Sequence, residues 1–159
     1  MDDYRLRYMD FILNQEGKYY CWPTDENNYS GKGLKNAKYP ETFDCSGLVT
    51  AGLYRASGGS TDYRATHNCN KLWNLLEDVA EPEMGDLAFY GPGKNMVTHV
   101  MTVIGHIGSN LAVYGACGGD SAVVTPVIAK AKGARVRLRN SHLYRPDFLG
   151  FKRLPKESR

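Results

Sequence analysis

Near Pro82 the spacing of apolar residues changes period. Before it they recur at intervals of three and four, and after it they gather in short β-branched or aromatic runs, LAFY, VTHVMTVI and LAVYGAC, parted by Gly and Asn clusters. The first pattern buries one face of a helix and the second builds antiparallel strands. Helices first and sheet second describe an α+β fold. The length of 159 residues fits a single domain spanning 1–159, and 42% hydrophobic against 23% charged residues excludes a disordered chain. No apolar run reaches the ~18 residues of a membrane span. Gly and Pro together number 24, so the chain turns often and is not a plain helical bundle.

From Asp3 to Glu16 the spacing of Leu6, Met9 and Leu13 predicts an amphipathic helix, with Asp2 or Asp3 to cap its start and Gly17 to end it. Residues 23–43 have no period and collect Pro, Asn, Gly and Ser, which marks a long loop of the kind that borders active sites. Asp44 then caps a second helix that stops at Gly58-Gly59 and buries Leu48, Ala51, Leu53 and Tyr54. A third helix is expected over Thr66 to Val79. In ARVRLRN, alternation predicts a strand with Val136 and Leu138 on the core and Arg135, Arg137 and Arg139 in solvent, and FLGFKRL reads as a final strand closing the sheet.

The net charge of +3 is unevenly spread: residues 130–159 hold 10 basic and 2 acidic side chains, a segment of +8. Such a face attracts an anionic partner, and on charge alone nucleic acid, membrane surface and bacterial cell wall all qualify. The amino-terminal MDDYRLRYMD lacks the basic and apolar regions of a secretory signal, so export by the usual route is not expected. The cysteines Cys21, Cys45, Cys69 and Cys117 are scattered, without a C-x-x-C pair, and reduced thiols are expected.

Of these, only Cys45 sits where chemistry favours it. The first turn of a helix offers unpaired N–H groups and the positive end of the dipole, which stabilise a thiolate and could also receive an oxyanion. A lone strand histidine reads more readily as a satisfied core residue, but a helix-start cysteine earlier in the same domain needs a base, and His99, inside the VTHVMTVI strand, is the candidate. His67, His106 and His142 are explained by caps, turns and solvent.

The strings Tyr20-Cys21-Trp22, Phe43-Asp44-Cys45-Ser46-Gly47-Leu48-Val49, Met84-Gly85-Asp86-Leu87-Ala88-Phe89-Tyr90 and Thr98-His99-Val100, in this order, resemble the NlpC/P60 cell-wall cysteine peptidases. Tyr144 and the run Phe148 to Arg153 resemble the family's last strand. The resemblance implies a papain-like α+β fold with N-terminal helices packed on a central antiparallel sheet, Cys45 heading a helix and His99 reaching it from the second strand. It implies that the Tyr20 hydroxyl lies beside the thiolate and the substrate carbonyl, and that Asp44 and Ser46 bind the free amine end of a stem peptide. Cysteine before histidine is the order of the unpermuted members and disfavours a lipid acyltransferase.

Two departures stand out. Pro23-Thr24 replaces the Gly-Gly that usually follows the Trp, so the adjoining groove is reshaped. The third polar residue, commonly a His on the following strand, aligns with Gly115, and Asp120 in GACGGD is the nearest carboxylate that could orient His99, with a main-chain carbonyl or water as alternatives. The resulting expectation is hydrolysis of a peptidoglycan amide, of the D-glutamyl–diamino acid endopeptidase type, requiring neither metal nor cofactor. The alternatives are an N-acetylmuramoyl-L-alanine amidase and a wall-binding module without turnover. The expected partners are stem peptides and anionic wall polymers, with no nucleic acid and no membrane. The expected setting is a bacteriophage lysin, made in the host cytoplasm or carried in the virion, or a secreted protein whose signal has been removed.

Overall fold

The computed structural model of the protein describes residues 2–156. Helix α1 covers Asp3–Leu13 and starts where the Asp2 carboxylate accepts from the Arg5 N–H at 2.7 Å. Its buried face is Tyr4, Arg5, Tyr8, Met9 and Ile12, whereas Leu6 is 50% and Leu13 43% exposed. The expected aliphatic stripe is therefore rotated, because the tyrosines offer larger apolar bodies and Tyr8 satisfies its hydroxyl on Thr102 Oγ1 at 2.8 Å. Arg5 is inside for a different reason: its guanidinium pairs at 3.0 Å with Asp86, which is fully buried and also accepts the N–H groups of Glu83 and Leu154. The acid of the GDLAFY string thus ties α1 and the segment after the last strand to the start of the sheet.

Helix α2, Cys45–Ala56, begins at its Asp44 cap and is followed by Gly58 and Gly59, both in the left-handed region. Helix α3 is only Cys69–Leu75, shorter at both ends than its leucine spacing predicts; Leu75 is 50% exposed while Leu72 is buried. Strands β1 (Leu87–Tyr90), β2 (His99–Ile107) and β3 (Asn110–Cys117) follow, then α4 (Pro126–Lys132), β4 (Arg135–Arg139) and β5 (Phe148–Lys152). No apolar period announces α4, although Thr125 as cap, Pro126 in the first turn and Gly133 as a left-handed stop are ordinary helix signals.

The sheet order is β4-β3-β2-β1-β5, antiparallel throughout, so β5 joins at the edge beside β1. One face packs Leu87, Phe89, Val100, Tyr114, Ala116 and Val136 in the core formed with the helices, and the other carries Ala88, Tyr90, Met101, Val103 and Val113 beneath Tyr144, Phe148 and Phe151. On β4 the expected sorting holds only in part. Val136 is buried, but Leu138 is 38% exposed, and Arg137 and Arg139 are half-covered rather than free. An edge strand has a neighbour on one side only, so its far end escapes the helical layer. The Arg139 guanidinium is instead stacked over the Tyr144 ring, 4.9 Å from its centroid.

Candidate active site

The site forms where the 23–43 loop closes on the first turn of α2. The Asp44 N–H donates to the Gly31 carbonyl at 2.7 Å, and the Asp44 carboxylate accepts from the Gly47 N–H at 2.6 Å. Gly47 has no alternative: a Cβ there would stand 1.8 Å from the Gly31 carbonyl oxygen, and one at Gly31, which has φ +94°, would stand 1.9 Å from that of Cys21. Asp44 and Ser46 are both buried against the loop's Lys32, whose ammonium lies 3.0 and 2.8 Å from the two Asp44 carboxylate oxygens and 3.0 Å from Ser46 Oγ. Burial pushes the Asp44 carboxyl up to about 6 even though Lys32 pulls it down.

Cys45 is the first residue of α2 and is 5% exposed. Its Sγ lies 3.4 Å from Sγ of Cys69, the first residue of α3. The Cys45 thiol is held well below the ordinary thiol range, first by the hydrogen bond from Cys69, against the opposing effect of burial, and then by the hydrogen bond and charge of His99 and the charge of Lys32. Cys69 is pushed well up by its bond to Cys45 and by burial, so of the two thiols Cys45 gives up its proton more readily. All four cysteines are free and buried.

His99, at the start of β2, is 6% exposed and pairs across the sheet with Tyr90, whose ring centroid is 5.3 Å from the imidazole. Its Nε2 is hydrogen-bonded to the Tyr144 hydroxyl at 2.7 Å. Burial pushes the Tyr144 phenol upward, so it meets the imidazole as a neutral group. When Nε2 carries a proton it donates to the phenol oxygen, leaving Nδ1 as the nitrogen for the thiol.

The position foreseen for Asp120 is thereby filled by Tyr144. Asp120 is exposed in the turn after β3, where its carboxylate accepts from the Ala122 N–H at 2.8 Å and its carbonyl from the Val123 N–H at 3.0 Å. The preceding Gly119 packs on the Tyr20 ring, so closely that a Cβ would come within 2.3 Å of it. Tyr20 itself is 3% exposed, and its phenol is pushed up by burial and then by the charges of Cys45 and Asp44. Lys32, Cys69 and Tyr144 are site residues that no sequence motif marks. Lys32 lies in an aperiodic loop, Cys69 has the pattern of an ordinary helical cysteine, and Tyr144 carries no signal beyond its place near the last strand.

Lys32, Asp44, Cys45, Ser46 and Cys69 open on a cavity of about 420 Å³, which is lined further by Trp22, Pro23, Tyr29 and Leu34 and by Arg64 and His67. A cysteine at a helix start that lines a groove, and an imidazole whose charge favours its thiolate, are parts that nucleophilic attack on a carbonyl uses.

The model of the NlpC/P60 family matches residues 17–120, a span that includes Tyr20, the Asp44–Gly47 turn and His99. The chain belongs to the NlpC/P60 family. Solved structures share the fold of this NlpC/P60 domain at low sequence identity. The P60 domain of an antigen from Mycobacterium avium subspecies paratuberculosis is 21% identical with a TM-score of 0.59, the match covering 94% of this chain and 93% of that one. RipD of Mycobacterium tuberculosis, described as a non-catalytic NlpC/P60 domain protein adapted to peptidoglycan binding, is 16% identical with a TM-score of 0.58, covering 96% and 98%. The NlpC/P60 domain of the peptidoglycan hydrolase SagA is 18% identical with a TM-score of 0.52, covering 94% and 97%. None of the curated protein sequences matches the chain. Membership ties this NlpC/P60 domain to peptidoglycan in general. The papain-like α+β architecture expected from the motifs is the one found.

Proposed function

We propose that the domain is a cysteine peptidase that hydrolyses an amide in the stem peptide of bacterial peptidoglycan, between the D-glutamyl residue and the diamino acid. The observation that carries this reading is Cys45 at the first position of α2, lining the cavity with its Sγ 3.4 Å from that of Cys69, together with a buried His99 whose Nε2 is engaged by Tyr144.

In this mechanism the Cys45 thiolate attacks the scissile carbonyl carbon, forming the C–S bond. The developing oxyanion is received by first-turn N–H groups of α2, which lie ahead of the helical hydrogen-bond ladder, with the Tyr20 hydroxyl beside them. His99, protonated at Nδ1, gives that proton to the leaving amine as the C–N bond breaks. A water then loses its proton to His99 and attacks the thioester, releasing the carboxylic acid and restoring the thiolate–imidazolium pair. Tyr144 keeps the imidazole turned so that Nδ1 faces sulfur throughout. The basic segment 130–159 would hold the enzyme on anionic wall polymers.

Mass spectrometry of the products from purified peptidoglycan tests the reading. New free amines on the diamino acid and new D-glutamyl carboxylates are expected, and loss of the bond between sugar and L-alanine would instead make the enzyme an amidase. Wall binding without any product, as described for RipD, would make it a binding module.

A further inference from the structure

The Lys32 ammonium has three protons and three acceptors: the two Asp44 carboxylate oxygens at 3.0 and 2.8 Å and Ser46 Oγ at 3.0 Å. It is fully engaged, and the pair is nearly out of solvent, the Lys32 side chain being 12% and the Asp44 side chain 5% exposed. Both groups nevertheless belong to the cavity wall beside Cys45. Among the described residues Asp44 is the one carboxylate lining that cavity, and it is already neutralised from within the chain by a residue of the 23–43 loop.

We propose that Lys32 occupies the place a substrate ammonium would take, and that the domain therefore acts on stem peptides whose amino end is acylated rather than free. This rests on the peptidase reading given above.

An incoming ammonium would need the same three acceptors. To reach them it would have to expel Lys32 and leave its charge buried without a partner, or sit beside that charge unpaired, and both are unfavourable. An acylated amino end brings no charge. The same cavity offers it Trp22, Pro23, Tyr29 and Leu34, of which Trp22 is 38% and Tyr29 54% exposed. A neutral amide continued by an acyl group or a sugar suits such a wall. The chemistry selects stem peptides still joined to their glycan by the lactyl amide over peptides already released from it. Specificity here comes from a group that rejects the wrong end as much as from one that accepts the right one.

The test uses one tripeptide, L-alanyl-γ-D-glutamyl-meso-diaminopimelate, in two forms that differ only at the amino end, free or acetylated. The full chain is expected to show at least a tenfold higher kcat/KM on the acetylated form. In Lys32→Met, which keeps the aliphatic stem, the ratio is expected to move at least tenfold toward the free amine, since Asp44 and Ser46 are then vacant for it. Circular dichroism confirms that the variant is folded; if it is not, the wild-type ratio decides alone. A wild type that prefers the free amine, or a folded Lys32→Met with an unaltered ratio, overturns the proposal. Binding of both peptides to Cys45→Ala, with and without Lys32→Met, reads the same preference without turnover. A protein that cleaves neither peptide but binds the acetylated one more tightly disproves the peptidase and supports the role of Lys32. One that binds neither form overturns that role as well.

Discussion

On the α2 side of the cleft, Lys32, Asp44, Ser46 and Cys45 form one polar cluster in which each charge has an opposite charge or a donor within hydrogen-bond reach. On the β2 side, His99 rests among Tyr90 and Tyr144, and its Nε2 partner is a neutral phenol. The first wall sets charge and the second sets direction. A thiolate needs nearby donors and cations to exist at neutral pH, whereas an imidazole that must both give and take a proton is better oriented by a group that does not hold its charge permanently in place. A carboxylate behind His99 would stabilise the imidazolium more than a phenol does. The price is a base side with less electrostatic support, which moves the burden of forming the ion pair onto Cys69, Lys32 and the helix start.

The sharpest break in this comparison comes from Cys45→Ala. It should lower turnover of peptidoglycan by at least about ten-thousandfold, since the nucleophile is removed outright, while the thermal transition stays near that of the wild type. Fragment masses and circular dichroism check both halves. Residual turnover near wild type would dissolve the distinction between the walls altogether.

A second effect belongs to the α2 side alone. Asp44 holds its proton up to about pH 6 when folded against an ordinary value of 3.8, so between those limits the folded state binds more protons than the unfolded one. Stability contributed this way is complete below about 3.8, falls as pH rises through the window, and is level above 6. The expected loss is about 3 kcal/mol at most, at 1.36 kcal/mol per pKa unit. Asp44→Asn should flatten that slope in urea titrations run across the window; an unchanged slope would place the proton elsewhere.

On the β2 side, Tyr144→Phe should lower kcat about ten- to a hundredfold, roughly 1.4 to 2.7 kcal/mol, with little change in KM, because only the orientation of His99 is lost. Asp120→Asn should leave kcat unaltered. The reverse outcome for the pair would return the orienting role to the carboxylate. A smaller change than that of Tyr144→Phe is expected for Cys69→Ala, where loss of the thiol donor should raise the Cys45 thiol and slow its alkylation by iodoacetamide at pH 6 about tenfold, a shift of about one pKa unit. Equal rates would mean that His99 and Lys32 suffice.

The same two walls differ in how far the sequence reveals them. Asp44, Cys45, Ser46 and Gly47 are contiguous, and a cap followed by a first-turn cysteine is a local statement, legible wherever a helix start is. Tyr144 stands 45 residues beyond His99 in an irregular segment, and it reaches the imidazole only because β5 folds back beside β1 and brings that segment over the sheet's second face. No period or spacing encodes that return. Lys32 is hidden for a related reason, since its partner Asp44 has a sufficient explanation as a cap. Asp120 misleads because nearness in sequence to the end of β3 does not bring its carboxylate to the imidazole: that carboxylate is exposed and spent on the Ala122 N–H, and Tyr144 holds His99 Nε2. The rotation of the α1 stripe has its origin in tyrosine, which counts as polar in a leucine-spacing argument and as core once its hydroxyl finds Thr102.

The contact between Gly31 and Gly47 sets a rule for anyone who would graft this cleft onto another scaffold or exchange its specificity loop. The Gly31 carbonyl lies against Gly47 with no room for a Cβ on the helix side, while Gly31 itself is closed in by the Cys21 carbonyl. A chimera carrying a foreign 23–43 segment must therefore keep a glycine at the position of Gly31 to clear Cys21, and must set its carbonyl against a first turn of α2 that has glycine at position 47. The 23–43 loop and the turn that carries Cys45 can be exchanged only together, as one cassette.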